Sequence, residues 1–575
     1  MKESKVMRDE VCVKRVQQST TMDPEMEEIS TPRIESKKKK TAAEGWSAAR
    51  PGVVLVACLM TLPVLVFLPR HYWTSSFVWI NAVTMTKRID KGPEDGSIPN
   101  SLASKDKLLG GLLSPNFDEQ SCLSRYKSAL YHKASPHLPS SYLVHKLRTY
   151  EALHKKCGPN TLLYKKSIEQ LKSGHSMELM DCNYIIWTPY NGLGNRILSL
   201  VSAFLYALLT NRVLLIHVTE DSADLWCEPF PDTTWVLPSN FPIKDLTKLH
   251  GGTKESYGNL LRDNKISNNP KTAVVSLPSY IYLHLEHNYQ HLDRLFFCDE
   301  DQMVLGKVNW LILQSDLYFV PSFFSIPAFE DELRWLFPAR ESIFHLLVRY
   351  LIHPTNTIWG MVTRYYDSYL AKSNERIGIQ IRIFQWAPIG SDDLINQILA
   401  CSKQENLLPD IERKNPSPSS TNVARSKAVL VTSLYQEYFD KFQSMYYENS
   451  AKTGDLVSVY QPSHEGHQSS EKQFHNQKAL AEIYLLSFCD VLVTSAVSTF
   501  GYVSHGLAGL KPWFLPYAKN RKASEIPCIR FSSMEPCLHT PPRIGCRGNR
   551  TVDTIKLQRH VRTCEDLGEG IKLFD

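Results

Sequence analysis

The stretch NYIIWTPYNGLGNRILSLVSAFLYALLTNRVLLIH, residues Asn183–His217, decides how this chain is read. Tyr184–Trp187 is a short apolar run, Asn191–Asn195 a turn with two glycines, Arg196–Leu209 an apolar helix and Val213–His217 a second short apolar run. Strand, tight turn, helix and strand in that order form the unit of a parallel α/β sheet. The pattern returns downstream. Ile377–Phe384 (IGIQIRIF), Ala428–Thr432, Leu456–Tyr460 and Val491–Thr494 read as strands, with helices at Leu434–Tyr447 and Asn476–Phe488. Leu407–Ser426 is a polar, proline-rich loop, while Tyr142–His154 and Tyr164–Leu171 have helical amphipathic spacing. Two successive α/β halves predict a two-lobed, doubly wound fold. Its ligand cleft would lie between the lobes, at the C-terminal strand ends.

The N-terminal part differs. Met1–Arg50 carries eleven Lys/Arg and nine Asp/Glu with little apolar patterning, which predicts a disordered tail. Gly52–Leu68 (GVVLVACLMTLPVLVFL) follows, uncharged over seventeen residues, with Thr61 its only polar side chain. That length just spans a thin bilayer, and Pro63 argues against a water-soluble core helix. The basic Lys37–Lys40 and Arg50 outweigh Arg70, Lys87 and Arg88, so the tail is expected in the cytosol and the rest in a lumen. The expected divisions are tail 1–50, anchor 51–69, stem 70–104, a first lobe 105–370, a nucleotide lobe 371–519 and a Cys-rich segment 520–575.

Eleven of the 13 cysteines lie beyond the anchor, four of them (Cys528, Cys537, Cys546 and Cys564) in the last fifty residues. In an oxidising compartment this predicts a disulfide-stapled tail, with at least one thiol left over. Asn549-Arg550-Thr551 is a glycosylation sequon. A net charge of +6, spread over 65 basic and 59 acidic residues, gives no basic face for nucleic acid.

Four stretches could carry chemistry. Gly192 and Gly194 let backbone amides approach an anion at the start of a helix, although a plain strand–helix turn has the same letters. Arg382, within an apolar strand, is either half of a structural ion pair or a phosphate ligand. His475–Glu482 and Val491–Gly501 place Glu482 on an inward helix face and Ser495, Ser498 and Thr499 in a turn suited to phosphate or to simple capping. Trp310–Asp316 ends a strand in a carboxylate at a ligand-binding edge, or in an Asx turn. Asp299-Glu300-Asp301 is a literal D-x-D, a pattern used to hold a divalent ion. The cationic and amide groups above make a metal dispensable.

Asn191–Arg196 with its helix, Ile377–Phe384 and Glu471–Leu515 resemble the plant α-1,2-fucosyltransferases of cell-wall polysaccharides, the xyloglucan type above all. LFFCDEDQ, HPTNTIWGMVTRYYDSYL and SSMEPC share the likeness, which covers roughly Lys105 to Asp575. The resemblance implies two Rossmann-like lobes in a GT-B-like variant, with GDP-fucose between them and no metal. It implies that Arg382 contacts the β-phosphate, Glu482 reads guanine, Ser498 touches the diphosphate, Asn195 faces the reacting centre and Asp316 orients or deprotonates the acceptor hydroxyl. The catalytic set is then Arg382, Asp316 and Asn195. The donor set is Gly192, Gly194, Arg196, Gln380, His475, Asn476, Glu482, Ser495, Ser498, Thr499 and Phe500. The chain departs from the family at Gln380, where the wider group often has His, and at Gln385-Trp386-Ala387 and Gln477, near the expected acceptor groove.

The expected function is an inverting transfer of L-fucose from GDP-fucose to a terminal galactose of a cell-wall glycan. The expected place is the Golgi membrane, as a single-pass type II protein with its catalytic part in the lumen. Two rivals stand beside it: a metal-dependent transferase using Asp299 and Asp301, and an anchored, non-catalytic polysaccharide-binding protein. Nothing in the sequence bears on oligomeric state.

Overall fold

The computed structural model describes residues 106–575 apart from 178–179, 267–275, 413–424, 544 and 547–558. The expected tail, anchor and stem, and the sequon at Asn549, lie outside the described residues.

Two sheets form the frame. The first is all parallel, with strands β1 (Tyr184–Thr188), β2 (Val213–Ile216), β3 (Tyr280–Leu285) and β4 (Trp310–Ser315) in the order β2-β1-β4-β3. The second contains β5 (Glu375–Gln380), β6 (Ser426–Thr432), β7 (Leu456–Tyr460), β8 (Val491–Ser495), β9 (Trp513–Leu515) and β10 (Ile529–Arg530), in the order β10-β9-β8-β5-β6-β7. Its strands are parallel except β10, which runs antiparallel on the edge. Strands such as YIIWT and WLILQS are buried along their whole length, which explains their continuous apolar runs.

Helix α1 (Leu193–Thr210) is apolar on nearly every side. Among the described residues it is the one helix long and apolar enough to cross a membrane, yet 83% of it is buried inside the protein. Its neighbours in the core are the helix Ile343–Leu351, α2 (Gln473–Ser487) and α3 (Thr499–Ala508). Helices belonging to both sheets thus share one continuous core. The two halves are fused along it, and the cleft opens only at the strand ends.

The strand expected at Ile377–Phe384 stops at Gln380. The Ile381 amide still donates to the Thr432 carbonyl, but the Arg382 amide donates to the Ser495 hydroxyl at 2.9 Å. Arg382 therefore sits in a loop just beyond the sheet, not within a buried strand.

Among the described residues five disulfides are present, Cys122–Cys227, Cys157–Cys182, Cys298–Cys546, Cys401–Cys528 and Cys537–Cys564, and Cys489 is free and buried. Only one of them closes within the C-terminal segment. The other two from that segment tie it to Cys298 of the first half and Cys401 of the second. The tail is stapled as expected, and its bonds make it a strap across both halves.

Candidate active site

A cleft of ≈ 300 Å³ opens between the C-terminal edges of the two sheets. Its first wall is the turn after β1. Gly192 caps α1, and Gly194 brings the helix start against the start of α3; a Cβ on Gly194 would lie 2.7 Å from Thr499 Oγ1 and 2.8 Å from the Phe500 nitrogen. Two helix N-termini converge here, each with unpaired amides and partial positive charge. Asn195 locks them together. Its Oδ1 accepts from the Thr499 hydroxyl at 3.0 Å, while its Nδ2 donates to the Asp316 carbonyl at 3.0 Å.

The opposite wall comes from the second sheet. Gln380 is buried at the end of β5, and its Oε1 accepts from the Ser495 amide at 3.2 Å. Arg382 extends into the cleft. Among the described residues its guanidinium has no carboxylate partner, and its nearest ring neighbour is Phe384, at 5.7 Å. Burial lowers its pKa below the ordinary arginine range because no anion offsets the desolvation. A cation so placed is costly until an anionic ligand pairs with it.

Glu482 lies buried on α2 at the cleft wall and accepts from the Ser463 hydroxyl. Burial pushes its pKa up to about 7. On the same helix, His475 and Lys478 both pair with Glu465, whose carboxylate they hold below its usual range. Val497, just before α3, has φ of 52°, a left-handed conformation that is strained for a β-branched residue. The Asp566 carboxylate holds it in place, accepting from the Val497 amide at 2.9 Å and from the Tyr502 hydroxyl at 2.5 Å. Tyr502 in turn meets Nε2 of His539, which reaches the cleft from the C-terminal strap. Backbone strain of this kind concentrates at ligand-binding loops.

Of the sequence-predicted residues, Gly192, Gly194, Asn195, Gln380, Arg382, His475, Asn476, Glu482, Ser498, Thr499 and Phe500 line this cleft. Three do not. Ser495 works from behind, holding the Arg382 backbone. Arg196 is paired with Asp221 at 2.5 Å and donates to the Asn191 carbonyl at 2.7 Å, so it braces the glycine turn. Asp316 is buried behind Asn195, with Oδ2 accepting from Asn191 and from His287. Asn476 lines the wall, but its amide donates to the Asp221 and Ser470 carbonyls and so clamps the two halves.

Thr432–Leu434, Ser463, Glu465, Gln468, Lys478 and His539 also line the cleft, and the sequence reading does not include them. Lys478 lies inside the quoted His475–Glu482 stretch, whereas His539 is brought in only by the disulfide-tied strap. The D-x-D carboxylates are engaged elsewhere: Asp301 accepts from the Tyr257 hydroxyl and Asp299 from the Ala328 amide. Gln477 does not line the cleft. Trp386, at the other departure from the family pattern, is exposed and packs against Phe384 and Tyr517.

Two mainly parallel sheets, facing helix N-termini and an arginine with no acidic partner among the described residues define a protein built to hold a phosphorylated ligand at the junction of two α/β halves. Residues 80–547 match the xyloglucan fucosyltransferase family, and the chain belongs to that family. It is 51% identical over 497 residues to a galactoside 2-alpha-L-fucosyltransferase of Pisum sativum, covering 86% of this chain and 87% of the relative. Its identity to a galactoside 2-alpha-L-fucosyltransferase of Arabidopsis thaliana is 50% over 480 residues, covering 83% of this chain and 85% of that one. The solved structure of an Arabidopsis thaliana FUT1 mutant in complex with GDP aligns with a TM-score of 0.75 at 49% identity, over 81% of this chain and 100% of that one.

Proposed function

We propose that this chain is an inverting fucosyltransferase. It moves L-fucose from GDP-fucose to the 2-hydroxyl of a terminal galactose on a cell-wall glycan, xyloglucan or an arabinogalactan side chain. The observation that carries the reading is Arg382, a half-buried guanidinium without an acidic partner among the described residues, set opposite two helix N-termini. Glycosyl transfer through an oxocarbenium-like state leaves its charge on the departing diphosphate. Positive groups fixed in advance at that point stabilise the transition state. Arg382, with the amides at Ser498 and Thr499, meets that need, and Glu482 has the acceptor oxygens suited to the donor edge of guanine.

A metal ion has no part in this reading, because cationic and amide groups already supply the positive potential. The finer placement belongs to the same proposal: a GT-B-like arrangement, an anchor at 51–69, a single-pass type II topology in the Golgi membrane with the catalytic part luminal, and a glycan on Asn549.

The test uses the full chain in detergent micelles with GDP-fucose and a panel of galactose-terminated acceptors, with and without EDTA. GDP release that needs an acceptor and ignores EDTA supports the proposal. Release abolished by EDTA and restored by manganese contradicts the metal-free mechanism. GDP binding without release for any acceptor points instead to the anchored binding protein.

A further inference from the structure

The carboxylate at the C-terminal edge of the first sheet is already committed. Asp316 is 4% exposed; its Oδ2 accepts from Asn191 Nδ2 at 2.8 Å and His287 Nδ1 at 2.6 Å, and its Oδ1 accepts from the His287 amide at 2.9 Å. Three donors occupy the two oxygens, and little of the group meets solvent. The imidazole it holds differs in this respect. The His287 side chain is 55% exposed. With Nδ1–H given to Asp316, the lone pair sits on Nε2. Among the described residues Nε2 has no partner.

A chain of contacts through Asp316 links this imidazole to the donor cleft. Asn195 lines the donor cleft and donates to the Asp316 carbonyl. On the other side of the Tyr190–Asn195 turn lies an open groove of ≈ 780 Å³, lined by Tyr190, Glu286, Asn288 and Gln314. His287 lies in the chain between Glu286 and Asn288, both of which line that groove.

We infer that His287 is the group that takes the proton from the acceptor hydroxyl, with Asp316 as its positioning residue. The inference rests on the fucosyl-transfer reading above. In the step, the hydroxyl oxygen forms a bond to the fucose anomeric carbon. The bond from that carbon to the β-phosphate oxygen breaks, and its electron pair leaves with GDP. The hydroxyl proton passes to Nε2, and the imidazolium later releases it to water. Asp316 fixes the tautomer and offsets the transient charge, as the carboxylate does in a catalytic triad.

The charged groups facing His287 are Asp316, from the end of β4, and Glu286, on its own segment; Tyr190, from the β1 turn, hydrogen-bonds to Glu286. Hydrogen bonding to Asp316 chiefly raises the His287 pKa, against burial. The neutral base is present above that pKa, so turnover falls as pH drops through it.

The test compares the full-length protein with its His287→Gln and His287→Ala variants, using GDP-fucose and the acceptor that supports turnover. If the unaltered protein transfers no fucose, the functional proposal fails rather than this one. We expect His287→Gln to lower acceptor-dependent kcat about 100-fold or more. GDP affinity and the KM for GDP-fucose should stay within about twofold. The acid limb of kcat, measured at saturating GDP-fucose, should vanish, and added imidazole should restore turnover to His287→Ala. A variant that keeps about a third or more of its turnover, retains the acid limb, or loses GDP affinity along with kcat overturns the assignment.

Discussion

Arg382 and Asp316 stand at corresponding places, each just past the C-terminal end of a central strand, one in each sheet. They are treated in opposite ways. Asp316 has three hydrogen-bond donors and is almost sealed from solvent, whereas Arg382 faces the cleft with no acid beside it among the described residues. Folding has neutralised one charge and left the other waiting. A charge satisfied within the fold orients its neighbours, and one left unsatisfied in a cleft is satisfied by a ligand.

The sharpest break in this contrast is to remove the unsatisfied charge. Arg382→Gln should lower kcat/KM by about 10²–10³, by analogy with the loss of one oxyanion donor, without lowering Tm. Turnover assays paired with thermal melts check both halves. Asp316→Asn should cost about 100-fold in acceptor-dependent kcat. Because three donors lose an anionic acceptor, Tm should also fall, unlike at Arg382. Gly194→Ala tests the joint between the two corners: a methyl at 2.7–2.8 Å from Thr499 and Phe500 must push the helix starts apart. We expect a loss of about 1–3 kcal/mol in stability, read by denaturant unfolding, together with weaker GDP binding.

The smallest effect concerns the nucleoside end. Glu482, with its pKa pushed up to about 7, is protonated below that value and cannot then accept two hydrogen bonds as a carboxylate. GDP affinity should therefore weaken about tenfold between pH 8 and pH 6. In Glu482→Gln that dependence should disappear, which calorimetric titration at several pH values would show.

Most of the frame was legible because the inner strands of both sheets are parallel and covered, so they appear as short apolar runs. The reading overran at Ile377–Phe384, where Ile381 and Ile383 continue the alternation after Ser495 has taken over the Arg382 amide from the ladder. It passed over β3, whose YIYLHL alternation was in plain view, and with it His287 two residues beyond. Arg196 and Ser495 were recognised as parts of the right motifs but given ligand contacts, when each holds a neighbouring backbone segment instead. A motif fixes which residues come close, while the hydrogen-bond partners decide which of them face outward. The strap and His539 were not legible, since disulfide partners hundreds of residues apart leave no local pattern.

The central claim is that Arg382 is held unpaired for a diphosphate. Its most direct test is titration of the full chain and of Arg382→Gln with GDP and with guanosine. We expect the variant to lose at least about tenfold in GDP affinity, as for a charge-assisted pair, while guanosine binding is unchanged. Equal GDP affinity in the two proteins would contradict it.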